Sequence, residues 1–256
     1  MAKKFFSFFL FILILDTVCR AQVCFDPVTN YKAGVSSVSL TGADFNKDGL
    51  TDIAVATRYN DKFALLLNVG AGTFSATVNF SVGSTPYWIT SGDFNEDSNP
   101  DVALANESSH DMCVLLGNGA ANFSPAVFYP TASEASSVTA ADLNNDTHLD
   151  LVITQFHYDS IAVFLGDGAG NFSLRGYYFV GNFSESEQSV SGDVNEDGNP
   201  DLVIGNWGGF LSVLLGDGTG AFPSTTTFFT SGVKTTEAVL YDFDADGHLD
   251  IAACNY

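Results

Sequence analysis

Asp193, Asn195, Asp197 and Asp201 occupy positions 1, 3, 5 and 9 of a nine-residue stretch, and the backbone carbonyl of Asn199 is available at position 7. Short carboxylate and amide side chains on alternate residues converge only if the backbone curls. The ion they then suit is a hard one, since Ca2+ takes six to eight oxygen ligands at about 2.3–2.6 Å. The frame returns at Asp44/Asn46/Asp48/Asp52 and Asp93/Asn95/Asp97/Asp101, with Leu50 and Asn99 at position 7. It returns again at Asp142/Asn144/Asp146/Asp150 and Asp242/Asp244/Asp246/Asp250, with His148 and His248 at position 7. This predicts up to five Ca2+ ions in a structural role. For any one loop the alternative is an Asx-turn closed on itself without metal. Position 6 is glycine in three copies (Gly49, Gly198, Gly247) but Ser98 and Thr147 in the others, where a Cβ resists a sharp turn. The first, fourth and fifth loops are therefore expected to bind best.

The loops must be carried by a repeat, because their first aspartates are spaced 49, 49, 51 and 49 residues apart. After each comes a short apolar run such as Ile53–Ala56, Val102–Ala105 or Leu202–Ile204, which reads as a strand covered on both faces. A variable loop and a second apolar run follow, for example Ala64–Leu67 or Ile161–Leu165. A glycine-rich turn with an aromatic comes next, clearest in Gly166-Asp167-Gly168-Ala169-Gly170-Asn171-Phe172. It precedes a strand and recurs, which argues against a dinucleotide-binding loop. An alternating outer strand such as Ser75–Phe80 and a further strand such as Tyr87–Ser91 complete the unit.

Four strands without a helix, repeated about every 50 residues, predict an all-β fold: a β-propeller of four-stranded blades. The repeats lie near 25–73, 74–122, 123–171, 172–221 and 222–256. The register places an outermost strand at Phe25–Tyr31 and ends the chain after a strand at Ile251–Cys254. A closing blade built from these two ends lacks its third strand. About four and a half to five repeats are present, so a fragment or an incompletely closed ring is expected.

Composition narrows the partners. Nine Lys and Arg against 30 Asp and Glu leave a net charge of −21, which argues against nucleic acid and anionic membrane surfaces. Lys3 and Lys4, the apolar run Phe5–Leu15 and the Cys19-Arg20-Ala21 cleavage site predict a signal peptide over 1–21, with 22–256 as the mature, secreted chain. The alternative is a membrane anchor, although the run is short of the ~20 residues that span a bilayer; no later segment is long enough to insert. Six Asn-x-Ser/Thr sequons, at Asn79, Asn106, Asn122, Asn145, Asn171 and Asn182, fit a secreted glycoprotein, with Asn145 excluded by its place inside the third loop. Of the cysteines left after cleavage (Cys24, Cys113, Cys254), Cys113 falls in an apolar strand and is expected to be a buried free thiol.

At the Asp-x-Asn/Asp-x-Asp-x-x-x-Asp loops, the apolar strand after each, and the Leu-Leu-Gly-Asp-Gly-x-Gly-x-Phe turns, the sequence resembles the FG-GAP/VCBS repeat family, which includes the N-terminal propeller of integrin α subunits. The resemblance covers about residues 22–256. It implies Ca2+ between strands one and two of each blade, and usually seven blades, which this chain does not reach. EF-hands fit poorly: they need Glu at position 12 and flanking helices.

Antiparallel connections alternate between the two faces of a blade, so acidic loops and glycine-rich turns share one face while the strand-two-to-three loops share the other. The second face varies and carries aromatic and imidazole side chains, among them Tyr59, His110, Tyr158 and Trp207, with Trp88 near a blade junction. Such groups on loops over a rigid scaffold suit recognition, and the alternative is that several pack between blades. No Ser or Cys has a supporting His, and the paired carboxylates stand at ligand spacing, so no catalytic residue is assigned. The reading is a non-catalytic adhesion or recognition module for an extracellular protein or glycan. Its rivals are a lectin stacking sugars on those aromatics and an enzyme whose catalytic domain lies beyond Tyr256.

Overall fold

Eighteen strands run in the order expected of the repeat, and no helix occurs among the described residues. The computed structural model describes residues 29–182 and 186–255. The expected signal segment over 1–21 and Phe25–Val28 of the expected N-terminal strand lie outside them, and Thr29–Tyr31 are not in a strand.

The first sheet is β1 (Ser37–Ala43), β2 (Asp52–Thr57), β3 (Lys62–Leu66) and β4 (Val78–Ser81), paired antiparallel in that order. The second holds β5 (Pro86–Gly92), β6 (Asp101–Asn106), β7 (Asp111–Leu115) and β8 (Val127–Pro130). The third holds β9 (Ala135–Ala141), β10 (Asp150–Gln155), β11 (Ser160–Gly166) and β12 (Phe172–Phe179). The fourth holds β13 (Ser186–Gly192), β14 (Asp201–Asn206), β15 (Phe210–Leu215) and β16 (Ser224–Phe229). A fifth sheet has two strands, β17 (Thr235–Tyr241) and β18 (Asp250–Asn255). Successive first strands pack side by side, β1 on β5, β5 on β9, β9 on β13 and β13 on β17. The result is a series of blades, an incomplete propeller.

The continuous apolar runs are explained by what each face meets. In β6, Val102 and Leu104 join the core shared with the first sheet, while Ala103 and Ala105 join the core shared with the third. In β10, Leu151 and Ile153 face the second sheet and Val152 the fourth. Each inner blade is therefore apolar on both sides, as a strand covered twice must be. The ends show the converse. Leu40 holds the place that Ile89 and Val138 hold in the next blades, yet it is 65% exposed where they are 2% and 1%. Inner strands touch through small polar groups, including Thr41 Oγ1 to Ser91 Oγ at 2.8 Å and Thr139 Oγ1 donating to Ser189 O at 2.8 Å.

The outer strands of the first two blades are shorter than expected, starting at Val78 and Val127 instead of Ser75 and Ser124. There Ser75 Oγ accepts the amide of Leu67 and Ser124 Oγ that of Leu116 in place of a ladder carbonyl; in the third blade Ser173, at the same place, lies within β12.

Candidate functional site: the acidic loops and the opposite face

Each acidic loop joins the first and second strands of its blade and repeats one hydrogen-bond skeleton. In the first loop the amide of Asp48 donates to Asp44 Oδ1 at 3.1 Å and to Asn46 Oδ1 at 3.0 Å. Gly49 N donates to Asp44 Oδ2 at 2.8 Å, and Leu50 N to Asp48 Oδ1 at 2.9 Å. The same bonds recur around Asp93 and Asp97, Asp142 and Asp146, Asp193 and Asp197, and Asp242 and Asp246. The curl demanded by the spacing is thus present in all five.

Two backbone positions make the curl. Position 6 has positive φ in every loop, 86°, 86° and 91° at Gly49, Gly198 and Gly247, and 65° and 76° at Ser98 and Thr147, which carry a Cβ into the left-handed region. Position 4 is left-handed as well, at Lys47, Glu96, Asn145, Glu196 and Ala245. None of these is glycine, so composition hides it.

Position 3 decides how many carboxylates meet. In the first four loops it is Asn, whose Nδ2 donates to the carboxylate at position 5, as Asn95 does to Asp97 at 3.1 Å and Asn144 to Asp146 at 2.8 Å. In the fifth it is Asp244. There one carboxylate oxygen from each of Asp242, Asp244 and Asp250 lies within 4.8 Å of the others. The side-chain donor set of every loop is oxygen from Asp and Asn, with no sulfur or ring nitrogen, which fits a hard cation.

Position 9 does more than the spacing suggested. Asp52, Asp101, Asp150 and Asp201 are fully buried. Oδ2 of each accepts the amide at position 2, from Phe45, Phe94, Leu143 and Val194 at 2.8–3.0 Å. Oδ1 accepts an amide of the glycine-rich turn, from Asn68, Gly117, Gly166 and Gly216 at 2.7–2.8 Å. One carboxylate therefore staples loop to turn in four blades. Burial pushes Asp101 and Asp150 up to about 6 against the pull of these bonds. The exposed carboxyls of Asp97 and Asp197 are held below the usual range, chiefly by the amides of Asn99 and Asn199.

On the opposite face the singled-out side chains lie on different blades. Tyr59 is 68% and Tyr158 41% exposed, His110 is exposed, and Tyr158 meets Tyr177 edge-on at 6.0 Å. Trp88 is half-buried and packs on the core between the second and third blades. Trp207 is half-buried, with Phe156 at 5.9 Å and the Lys234 ammonium 3.3 Å from its ring centroid. Phe156 in turn meets Tyr87 at 5.6 Å, and the Arg58 guanidinium lies 5.0 Å from the Tyr87 ring. Cation, aromatics and cation thus form a string through all five repeats. It is invisible in the sequence because successive members are 27 to 69 residues apart and follow no period. Among the sequons, Asn106 is fully buried and its Nδ2 donates to Asp111 at 2.7 Å, which removes it as a glycan acceptor in the folded chain, whereas Asn79, Asn122, Asn171 and Asn182 are exposed.

A loop-bearing, four-stranded unit repeated in series defines a β-propeller repeat protein. The chain belongs to the FG-GAP-like repeat family, which matches residues 44–104, 93–153, 146–204 and 193–253, each span running from one acidic loop past the next. No curated protein matches it in sequence. Among solved structures it is similar to BBS1N in complex with ARL6DN, at TM-score 0.60 and 14% identity over 87% of this chain and 64% of that one. It is also similar to an Agrocybe aegerita lectin recognising non-reducing terminal N-acetylglucosamine, at 0.56 and 17% over 86% and 61%. A functionally unknown protein from Desulfotomaculum acetoxidans gives 0.58 and 15% over 86% and 61%. The chain spans less than two thirds of each, and identities this low speak for the fold alone. Among the described residues no helix is long and apolar enough to cross a membrane.

Proposed function

We propose that the chain is a secreted, non-catalytic recognition module whose acidic loops hold structural Ca2+ and whose opposite face meets an extracellular protein. The observation that carries this reading is the contrast between the faces. On one, five loops keep the same skeleton and an oxygen-only donor set; on the other, the loops differ in every repeat and expose Tyr59, His110 and Tyr158. Calcium would bind through positions 1, 3, 5 and 9 and the position-7 carbonyl. It would neutralise carboxylates that otherwise repel one another, in a chain of net charge −21. Extracellular calcium modules work at about 10⁻⁴–10⁻³ M, which suits a chain with a signal-like N-terminus. The protein bound by one neighbour and the glycan bound by another support recognition as a use of this fold.

The test is expression of the full chain in a secreting cell, followed by ion counting and melting with millimolar Ca2+ or EDTA. Export, three to five bound ions and a melting temperature that falls in EDTA are expected. A folded protein that binds no calcium overturns the metal half of the reading. A glycan-binding role is the second reading, favoured by the outward rings of Tyr59 and Tyr158. Binding to immobilised glycans that is lost in Tyr158→Ala would select it over a protein ligand.

A further inference from the structure

At three of the four junctions the acidic loops touch one another by the same two positions. Glu96, at position 4 of the second loop, pairs with the Nδ1 of His148, at position 7 of the third. Glu196, at position 4 of the fourth, pairs with the Nδ1 of His248, at position 7 of the fifth. Asn145, at position 4 of the third, donates from Nδ2 to Oδ1 of Asn199, at position 7 of the fourth, at 3.3 Å. At the first junction the equivalent residues are Lys47 and Asn99, which both flank Gly119, and the Lys47 charge acts on Asp97. A glycine of the neighbouring turn forms the floor of three junctions. A Cβ on Gly119 would lie 2.3 Å from Asn99 Oδ1 and 3.2 Å from Lys47 Cδ. On Gly168 it would lie 2.4 Å from His148 Nδ1 and 3.1 Å from Glu96 Oε1, and on Gly218 2.4 Å from Asn199 Oδ1 and 3.5 Å from Asn145 Nδ2.

We infer that these position-4 to position-7 pairs are positioning contacts that link calcium binding at one loop to the next, so that the ions enter cooperatively. The inference rests on the calcium reading above. Position 7 presents its carbonyl to the ion, and a side chain gripped from the neighbouring loop fixes the direction of that carbonyl. Position 4 sits between the donors at 3 and 5 in a left-handed conformation, so whatever holds its side chain also holds the curl. Each loop therefore reaches forward from position 4 and is held from behind at position 7. Ordering one loop lowers the entropy that its neighbour must lose on binding, which is positive coupling without a change of fold. The three pairs are Glu with His, Asn with Asn and Glu with His, whereas the position-4 residue of the fifth loop, which has no following loop, is Ala245.

The experiment is a Ca2+ titration of the full chain by calorimetry, with melting temperature followed in parallel. Wild type is compared with Glu96→Ala/Glu196→Ala and with Glu96→Gln/Glu196→Gln. Neither glutamate is a proposed ligand, and alanine already stands at this position in the fifth loop with a φ of 60°. The wild-type isotherm is expected to be steeper than independent sites allow. The alanine pair removes the second and fourth junctions and leaves the first and third, so its isotherm should be clearly shallower than wild type with its midpoint weakened about 5-fold, the low end of ordinary coupling. The glutamine pair, which keeps an acceptor for the imidazole N–H, should keep most of the steepness; a merely structural contact would lower the melting temperature without changing the slope. Should the alanine pair not fold, Glu96→Ala alone answers the question, because it leaves the Glu196 junction intact and should lower the slope by less than the pair would, while still below wild type. A wild-type isotherm of independent sites, or alanine variants as steep as wild type, overturns the coupling while calcium binding stands. Absence of calcium uptake overturns the calcium reading and this inference together.

Discussion

The carboxylate of Asp101 accepts the amide of Gly117 at 2.7 Å across sixteen residues of chain, and its second oxygen accepts the amide of Phe94 at 2.8 Å. Both amides are out of water, so removing the carboxylate orphans two donors at once. Asp101→Ala is expected to cost about 2–5 kcal/mol. Urea denaturation in EDTA checks this without the metal. Removing the exposed Asp97 under the same conditions should cost far less.

The same burial sets a pH dependence for the metal-free protein. Asp101 and Asp150 are pushed up to about 6 in the fold, above the ordinary carboxylate value of about 4 in the unfolded chain. Between these values the folded state binds more protons, so stability contributed at low pH is lost as pH rises toward 6. In EDTA the melting temperature should therefore be higher at pH 5 than at pH 7. Asp101→Asn/Asp150→Asn should flatten the slope in that window, and an unchanged slope would refute the assignment.

How much of this was legible in the sequence differs from element to element. The acidic loops and the strands behind them were, because a fixed period and an unbroken apolar run such as Val102–Ala105 are local patterns with one physical reading. The alternation of that run between two neighbouring blades follows from the repeat. The staple at position 9 was not legible, since an aspartate spaced as a ligand looks the same when it accepts amides from seven residues before and fifteen or sixteen after. The left-handed backbone at Lys47 and Glu96 was hidden too, because glycine is the usual signal for it. The sequence puts Trp207 on a loop and Trp88 near a blade junction, but what a half-buried ring packs against is decided by other repeats.

The thiols offer a direct check on burial. Cys113 is fully buried and burial pushes its thiol up to about 11, whereas Cys254 is exposed. Iodoacetamide at pH 8 is expected to label Cys254 in the folded protein and Cys113 only after denaturation, read by peptide mass spectrometry. Rapid labelling of Cys113 would place the core between the first two blades in doubt.

Gly168 tests the junction floor from the other side. Its φ is 68° and an added Cβ would sit 2.4 Å from the His148 ring. Gly168→Ala should destabilise by about 1–3 kcal/mol through strain and the displaced imidazole. Gly49→Ala, with nothing within 4 Å of the added atom, isolates the backbone contribution and should cost less.

Among the described residues each core is shared by two adjacent sheets. Stability is then a sum over neighbours, as in other serial architectures. A gene duplication that inserts one 49-residue unit between two others adds a whole sheet, creates one new interface and leaves the remaining interfaces as they were. Chains of this kind can lengthen or shorten by whole blades during evolution without redesigning a common centre, and the acidic loop travels with each blade that is copied.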